Sequence, residues 1–179
     1  MIKTYYTLIE DKINHWLNFI KNAWLFRKAL SNFHWWDYNA LILFMNTGIN
    51  EIADGIESKG NEIETTKMKK VAKMRRACEI LQNHIDDNYI TMAENILGKC
   101  YDYELKFVPL EDRPELFSVD DDLTEEQRDH NSKVFLKSRE IEVEEWKEFC
   151  DIIKGQDDFF EQEEWEEKYD GSGLKDWWD

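Results

Sequence analysis

The sequence predicts an all-α fold: a bundle of long amphipathic helices with an acidic C-terminal helical arm. Three observations carry that expectation. Only two Pro and seven Gly among 179 residues leave little for the many turns of an all-β fold. Apolar residues recur every three or four positions, the period of a helix with one buried face. The charge is unevenly placed. Residues 1–110 hold 14 acidic and 14 basic side chains, whereas residues 111–179 hold 25 and nine, and so carry the whole net charge of −16. Eight Trp, seven Tyr and ten Phe exclude wholesale disorder.

The first helix is expected from about Thr4 to Leu30, with Ile9, Ile13, Trp16, Ile20 and Trp24 along one face. Ser31 to His34 breaks it. Asp37 can then cap a second helix running to about Ser58, with Leu41, Phe44, Met45, Ile49, Ile52 and Ile56 inward. Gly48 inside that pattern suggests close packing against a neighbour. After the turn at Lys59-Gly60-Asn61, one long helix is expected from Thr65 or Thr66 to Gly98. Its stripe is Val71, Met74, Cys78, Leu81, Ile85, Tyr89, Met92 and Ile96. Phe107 to Asp122 contains both prolines and reads as irregular. Thr124-Glu125-Glu126-Gln127 has the form of a capping box and opens a helix to about Ile153 through Val134, Ser138, Ile141, Trp146, Phe149, Cys150 and Ile153. Gly171-Ser172-Gly173 reads as a flexible joint before the tail. The expected organisation is a helical core (1–107), an irregular linker (108–122), and an acidic helical arm with an aromatic C-terminal tail (123–179).

The cytoplasm is the expected compartment. Cys78, Cys100 and Cys150 are odd in number and form no CxxC, and a small buried thiol is the ordinary reading of Cys78 and Cys150. The N-terminal stretch carries charges where a signal peptide would be apolar. No run reaches the ~18 apolar residues of a membrane span.

The chain closes on Trp177-Trp178-Asp179, and the same triplet stands earlier as Trp35-Trp36-Asp37. Two terminal indoles leave on the order of 300–500 Å² of aromatic surface to be covered by the core, a partner or a flat ligand. On the third expected helix, Lys69, Lys73 and Arg76 share one face, with Lys70 and Arg75 flanking the apolar stripe. Such a row can hold phosphates, and it can equally pair with the acidic arm of the same molecule. In a hairpin of the second and third helices, Trp35 and Trp36 fall near His84, Asp86, Asp87 and Tyr89. The basic row falls nearer the other end, so one site combining both needs a second copy or the tail.

Catalytic and metal signatures are weak: no HExxH, no Walker loop and no GxSxG is present. No catalytic residue, metal or cofactor is expected. Two carboxylate pairs, Glu142 with Glu145 and Glu167 with Asp170, resemble those by which all-α nucleoside-triphosphate pyrophosphatases hold magnesium, although such spacing arises readily in a Glu-rich segment. An acidic chain also disfavours duplex nucleic acid and anionic membranes as partners.

From Trp35 to Tyr89, and again at the final triplet, the chain resembles a family of small helical proteins encoded by tailed bacteriophages. The matching stretches are Trp36-Asp37-Tyr38, the Lys- and Arg-rich helix through Arg76, Asp86-Asp87-Asn88-Tyr89, and Trp177-Trp178-Asp179. The resemblance covers about half of the chain, departs from it between Glu111 and Tyr169, and brings no established activity. It implies action in the cytoplasm of an infected bacterium. Two binding functions follow as expectations. One is counter-defence by sequestering a nucleotide immune signal, with Trp35, Trp36, Trp177 and Trp178 stacking on bases and Lys69, Lys73 and Arg76 holding phosphates. The other is a protein–protein interaction in which Glu163, Glu164, Glu166 and Glu167 engage a basic host or phage protein, as a nucleic-acid mimic would. The pyrophosphatase-like enzyme is third. A homo-oligomer is expected, because eight Trp and three long amphipathic helices exceed what a small body needs for its own core.

Overall fold

A computed structural model describes residues 2–156 and 165–177, with side chains described for 11–113, 116–156 and 167–177. The fold is mostly helical with one small sheet. In order, α1 spans Ile2–Leu25, α2 Arg27–Ser31, α3 Asn39–Lys59, α4 Glu64–Ile85 and α5 Tyr89–Leu97. Strands β1 (Lys106–Leu110) and β2 (Arg113–Asp120) follow, then α6 (Glu125–Lys154), α7 (Trp165–Lys168) and a 3₁₀ turn at Leu174–Asp176. The described helices include no segment long and apolar enough to cross a membrane.

Two compact units form, and they are not successive in sequence: residues 1–85 with 149–179, and residues 86–148. In the first unit α3 and α4 make an antiparallel hairpin. Its core is Ile42, Ile49, Ala53 and Ile56 against Met74, Ala77, Cys78, Ile80 and Leu81, joined by Phe149, Ile152 and Trp177. The buried stripe of α3 is the expected one only in part: Ile49 and Ile56 are core residues as expected. It includes the small Ala53 and the polar Asn46, while Leu41, Met45 and Ile52 remain exposed. Asn46 is tolerated inside because its amide donates to Gln82 Oε1 at 3.0 Å and its Oδ1 accepts from Asn50. Gly48 lies under Phe26, whose ring also stacks on Phe44 at 5.4 Å.

The expected single helix from Thr65 to Gly98 is two. Asp87 takes a left-handed conformation (φ 51°) between Ile85 and Tyr89, a geometry that Asp accepts more readily than most residues. Gly98 closes the second piece at φ 100°. The segment expected to be irregular is a hairpin. Lys106, Phe107, Val108 and Pro109 pair with Asp120, Val119, Ser118 and Phe117, and the ladder shifts at Leu110. Two prolines are compatible with strands here because a two-stranded sheet consists of edges.

In the second unit the capping box of α6 is complete. Gln127 N–H donates to Thr124 Oγ at 3.3 Å, and Gln127 Oε1 accepts from Thr124 N–H at 2.9 Å. Buried Asn131 fastens the strand-ward loop from one side chain: its Oδ1 accepts from Tyr101 N–H at 2.8 Å and its amide donates to Tyr101 O at 2.9 Å. Cys78 is buried, as read from the sequence, and burial pushes its thiol up to about 11. Cys150 is exposed, contrary to expectation, because the buried line of α6 passes through Phe149 and Ile152.

Candidate functional site

The α3–α4 hairpin presents two ends, and the residues singled out in the sequence divide between them. Lys69 and Ile85 stand 16 residues apart on α4, about 24 Å along the axis. The basic row therefore lies well away from the first Trp pair.

At the basic end every singled-out cation is already engaged. Lys69 donates to Tyr169 O at 2.8 Å, Lys73 pairs with Asp170 at 3.0 Å, and Arg76 pairs with Glu79 at 3.0 Å. Lys70 is buried against Glu62, and Arg75 binds Asn50, Asp54 and Glu57. Burial opposes ionisation of Asp170, yet hydrogen bonds from Ser172 and Lys73 hold its carboxyl below the usual range. Asp170 is thus occupied by the protein itself, as is Glu142 through Arg139, whereas Glu145 is buried. Among the described residues no group of three or more His, Cys, Asp or Glu side chains could hold a metal ion.

The tail is built into this end. Gly171, Ser172 and Gly173 are buried, so the expected flexible joint is a close-packed turn. A Cβ on Gly171 would lie 2.3 Å from the backbone carbonyl of Lys69, and its φ of 92° suits glycine alone. Gly173 N–H donates to Ile152 O at 2.8 Å, and Trp177 Nε1–H donates to Gly171 O at 2.8 Å. Trp177 is 4% exposed and belongs to the core, so its indole has no face for a ligand. Trp178, Glu163 and Glu164 lie outside the described residues, as does the side chain of Glu166; Glu167 is exposed on α7.

The aromatic end is arranged differently. A turn closed by Asp37 N–H donating to His34 O at 2.9 Å leads into α3, and Asp37 Oδ1 accepts from Asn39 N–H at 2.9 Å. The N-cap position is Tyr38 rather than the expected Asp37, one residue before it, whose carboxylate nevertheless satisfies the first amide of the helix. Trp35 is 86% exposed and Trp36 67%. They meet edge to face at 5.4 Å, and the His34 ring stacks on Trp36 at 4.9 Å and 15°. The hairpin led to the expectation of Trp35 and Trp36 beside His84; the ring that reaches His84, at 5.7 Å, is Tyr38. Beside them opens a cleft of about 340 Å³ lined by Asn32, His34, Asp37, Asn39, Ala40, Leu43 and Ile85. None of these is Lys or Arg.

Sequence reasoning found the two indoles but not the cleft residues Asn32, His34 and Asn39. Their only signal was a cluster of amide and imidazole groups around an aromatic turn. Comparison with known proteins returns no matching family, no matching characterised protein and no matching solved structure. The site must therefore be read from its own chemistry.

Proposed function

We propose that this protein is a non-enzymatic binding protein that takes a flat, ring-bearing ligand of the nucleobase type at the Trp35–Trp36 end. The observation that supports this reading is two largely exposed indoles held by ring contacts beside a cleft offering amide, imidazole and carboxylate groups. Stacking of a base on an aromatic side chain is worth about 1–3 kcal/mol and tolerates any base, because each has a π face. The amides of Asn32 and Asn39 can both donate and accept at a base edge.

The same geometry narrows the nucleotide reading. No cleft residue is Lys or Arg, and the Asp37 carboxylate already binds the first amide of α3, where an anion would otherwise be attracted. Phosphates of a bound nucleotide would face solvent, and recognition would fall on base and sugar. Sequestration of a nucleotide immune signal in a phage-infected bacterium remains the biological setting proposed for such binding. Docking of the acidic segment on a basic protein is the second reading. Exposed Glu126, Glu144 and Glu167 favour it, although Asp129, Glu140 and Glu142 are paired along α6.

The test is native mass spectrometry of the protein purified from infected cells, with nucleotide analysis of anything released on denaturation. Titration of nucleosides and nucleotides against Trp fluorescence accompanies it. A stoichiometric base-bearing ligand, bound at least tenfold more weakly by Trp35→Ala, supports the proposal. Equal binding by Trp35→Ala, or no bound ring compound at all, overturns it.

A further inference from the structure

Helix α1 lacks the support that the rest of the first unit has. Every residue from Asp11 to Asn22 is exposed, including Ile13, Trp16, Leu17, Phe19 and Ile20, and Trp24 follows at 69% exposure. Among its described side chains, contacts to the rest of the chain fall at its C-terminal end. Arg27 donates to Trp24 O at 2.7 Å and lies over the Trp24 ring, and Lys21 stands 3.9 Å from Glu51. Protein helices draw most of their stability from packing an apolar face. Here the face exists and nothing in the chain's described residues covers it.

We propose that α1 is a self-association surface and that its occupant is α1 of a second copy of this chain, packed antiparallel. Three observations favour that occupant. Six apolar side chains between 53% and 69% exposed leave on the order of 700 Å² in water, close to the ~800 Å² per partner of a stable interface. Ile13, Trp16, Ile20 and Trp24 step by three, four and four, a seam that fits a two-helix contact. The ionic groups of residues 11–25 are one Asp and two Lys, so two copies meet there without the repulsion that the net charge of −16 would impose elsewhere.

The antiparallel sense follows from size and dipole. A two-fold axis between Trp16 and Leu17 sets Ile13 against the partner's Ile20, places each Trp16 indole opposite Leu17 of the partner subunit rather than another indole, and opposes the helix dipoles. An anionic membrane is the less favoured occupant, since the chain as a whole is strongly acidic.

Sedimentation analysis of the full chain at micromolar concentration tests the proposal, alongside Trp16→Glu and Ile20→Lys. The expected result is a dimer for the natural chain and at least a tenfold weaker association for each variant. Both sites are exposed, so the thermal transition of the remaining fold should persist. Cross-linking then reads the sense in a Cys150→Ser background. A mixture of Ile13→Cys and Ile20→Cys chains should give the mixed disulfide in preference to either self-disulfide. A monomer throughout, a dimer indifferent to Trp16→Glu, a dominant Ile13→Cys self-disulfide, or a monomer that co-sediments with phosphatidylglycerol vesicles would each overturn it. Ligand quenching at Trp35 should be unchanged by Trp16→Glu, which separates failure here from failure of the ligand proposal.

Discussion

The two Trp-Trp-Asp triplets end in opposite environments. Trp177 is among the most buried side chains of the first unit, whereas Trp35 is among the most exposed large apolar residues of the chain. The difference lies in what the flanking residues allow. Ahead of Trp177, Gly171 lets the backbone come against α4 and turns its carbonyl to the indole N–H. That satisfies the polar atom an indole carries, so the ring can be buried without an orphaned donor. Trp35 and Trp36 follow His34 and precede a capping Asp37, which commits the backbone to starting α3 and leaves the rings outside. Burial of a tryptophan here is decided by its neighbours' backbone.

The largest effect expected from breaking this contrast is at Trp177. Trp177→Ala should cost about 3–5 kcal/mol, the usual loss for a large core aromatic. For a chain of this size that lowers the melting temperature on the order of 10 °C, read by calorimetry. Gly171→Ala should come next, at roughly 2–3 kcal/mol, because the methyl meets the Lys69 carbonyl and the positive φ disfavours any side chain. If its melting temperature matched the natural chain, the tail would not be packed as described. Trp35→Ala should sharpen the comparison from the other side. Its stability change should fall within about 0.5 kcal/mol, as for surface positions, while ring-ligand binding is lost.

The smallest effect concerns the ion pair beneath the tail. Lys73→Ala should cost less than about 1 kcal/mol, since both partners of the Lys73–Asp170 pair are more than a third exposed. Its signature is in the pH dependence. The folded pKa of Asp170 lies below the unfolded value of about 3.9. Its contribution is therefore full above that value and is lost as pH falls through the folded pKa. Acid unfolding curves of Lys73→Ala should show a smaller loss in that window, and an unchanged loss would assign it to Ser172 alone.

Much of the fold could be read from local pattern. The capping box at Thr124 and Gln127, the core stripe of α4 and the helical stop at Gly98 each depend on residues close to one another in sequence. Errors arose where a distant contact chose between local options. On α3 the expectation holds for Ile49 and Ile56 but not for Leu41, Met45 and Ile52, because large apolar residues mark two faces and α4 packs on the one containing Ala53 and Asn46. The break at Asp87 was missed because the apolar period runs on through it. Residues 107–122 looked irregular because prolines are rare in sheets, a bias that does not apply to a ladder made only of edges.

The candidate site divides the same way. The separation of the basic row from the first Trp pair was legible, because it follows from position along a helical hairpin. Pairing of the basic row with the acidic arm, and docking of the terminal tryptophans on the core, were each among the open readings, and only the structure selects them for Lys73 and Trp177. Sequence alone determined the helical class, the helix caps and the placement of charge, since these are set by residue type and near neighbours. Tertiary structure alone decided which tryptophan is core and which is surface. That choice depends on whether the tail can pack against α4, about 100 residues away in sequence, so that the core covers the ring while the nearby Gly171 carbonyl accepts from the indole N–H, and no local pattern records the distant half of that contact.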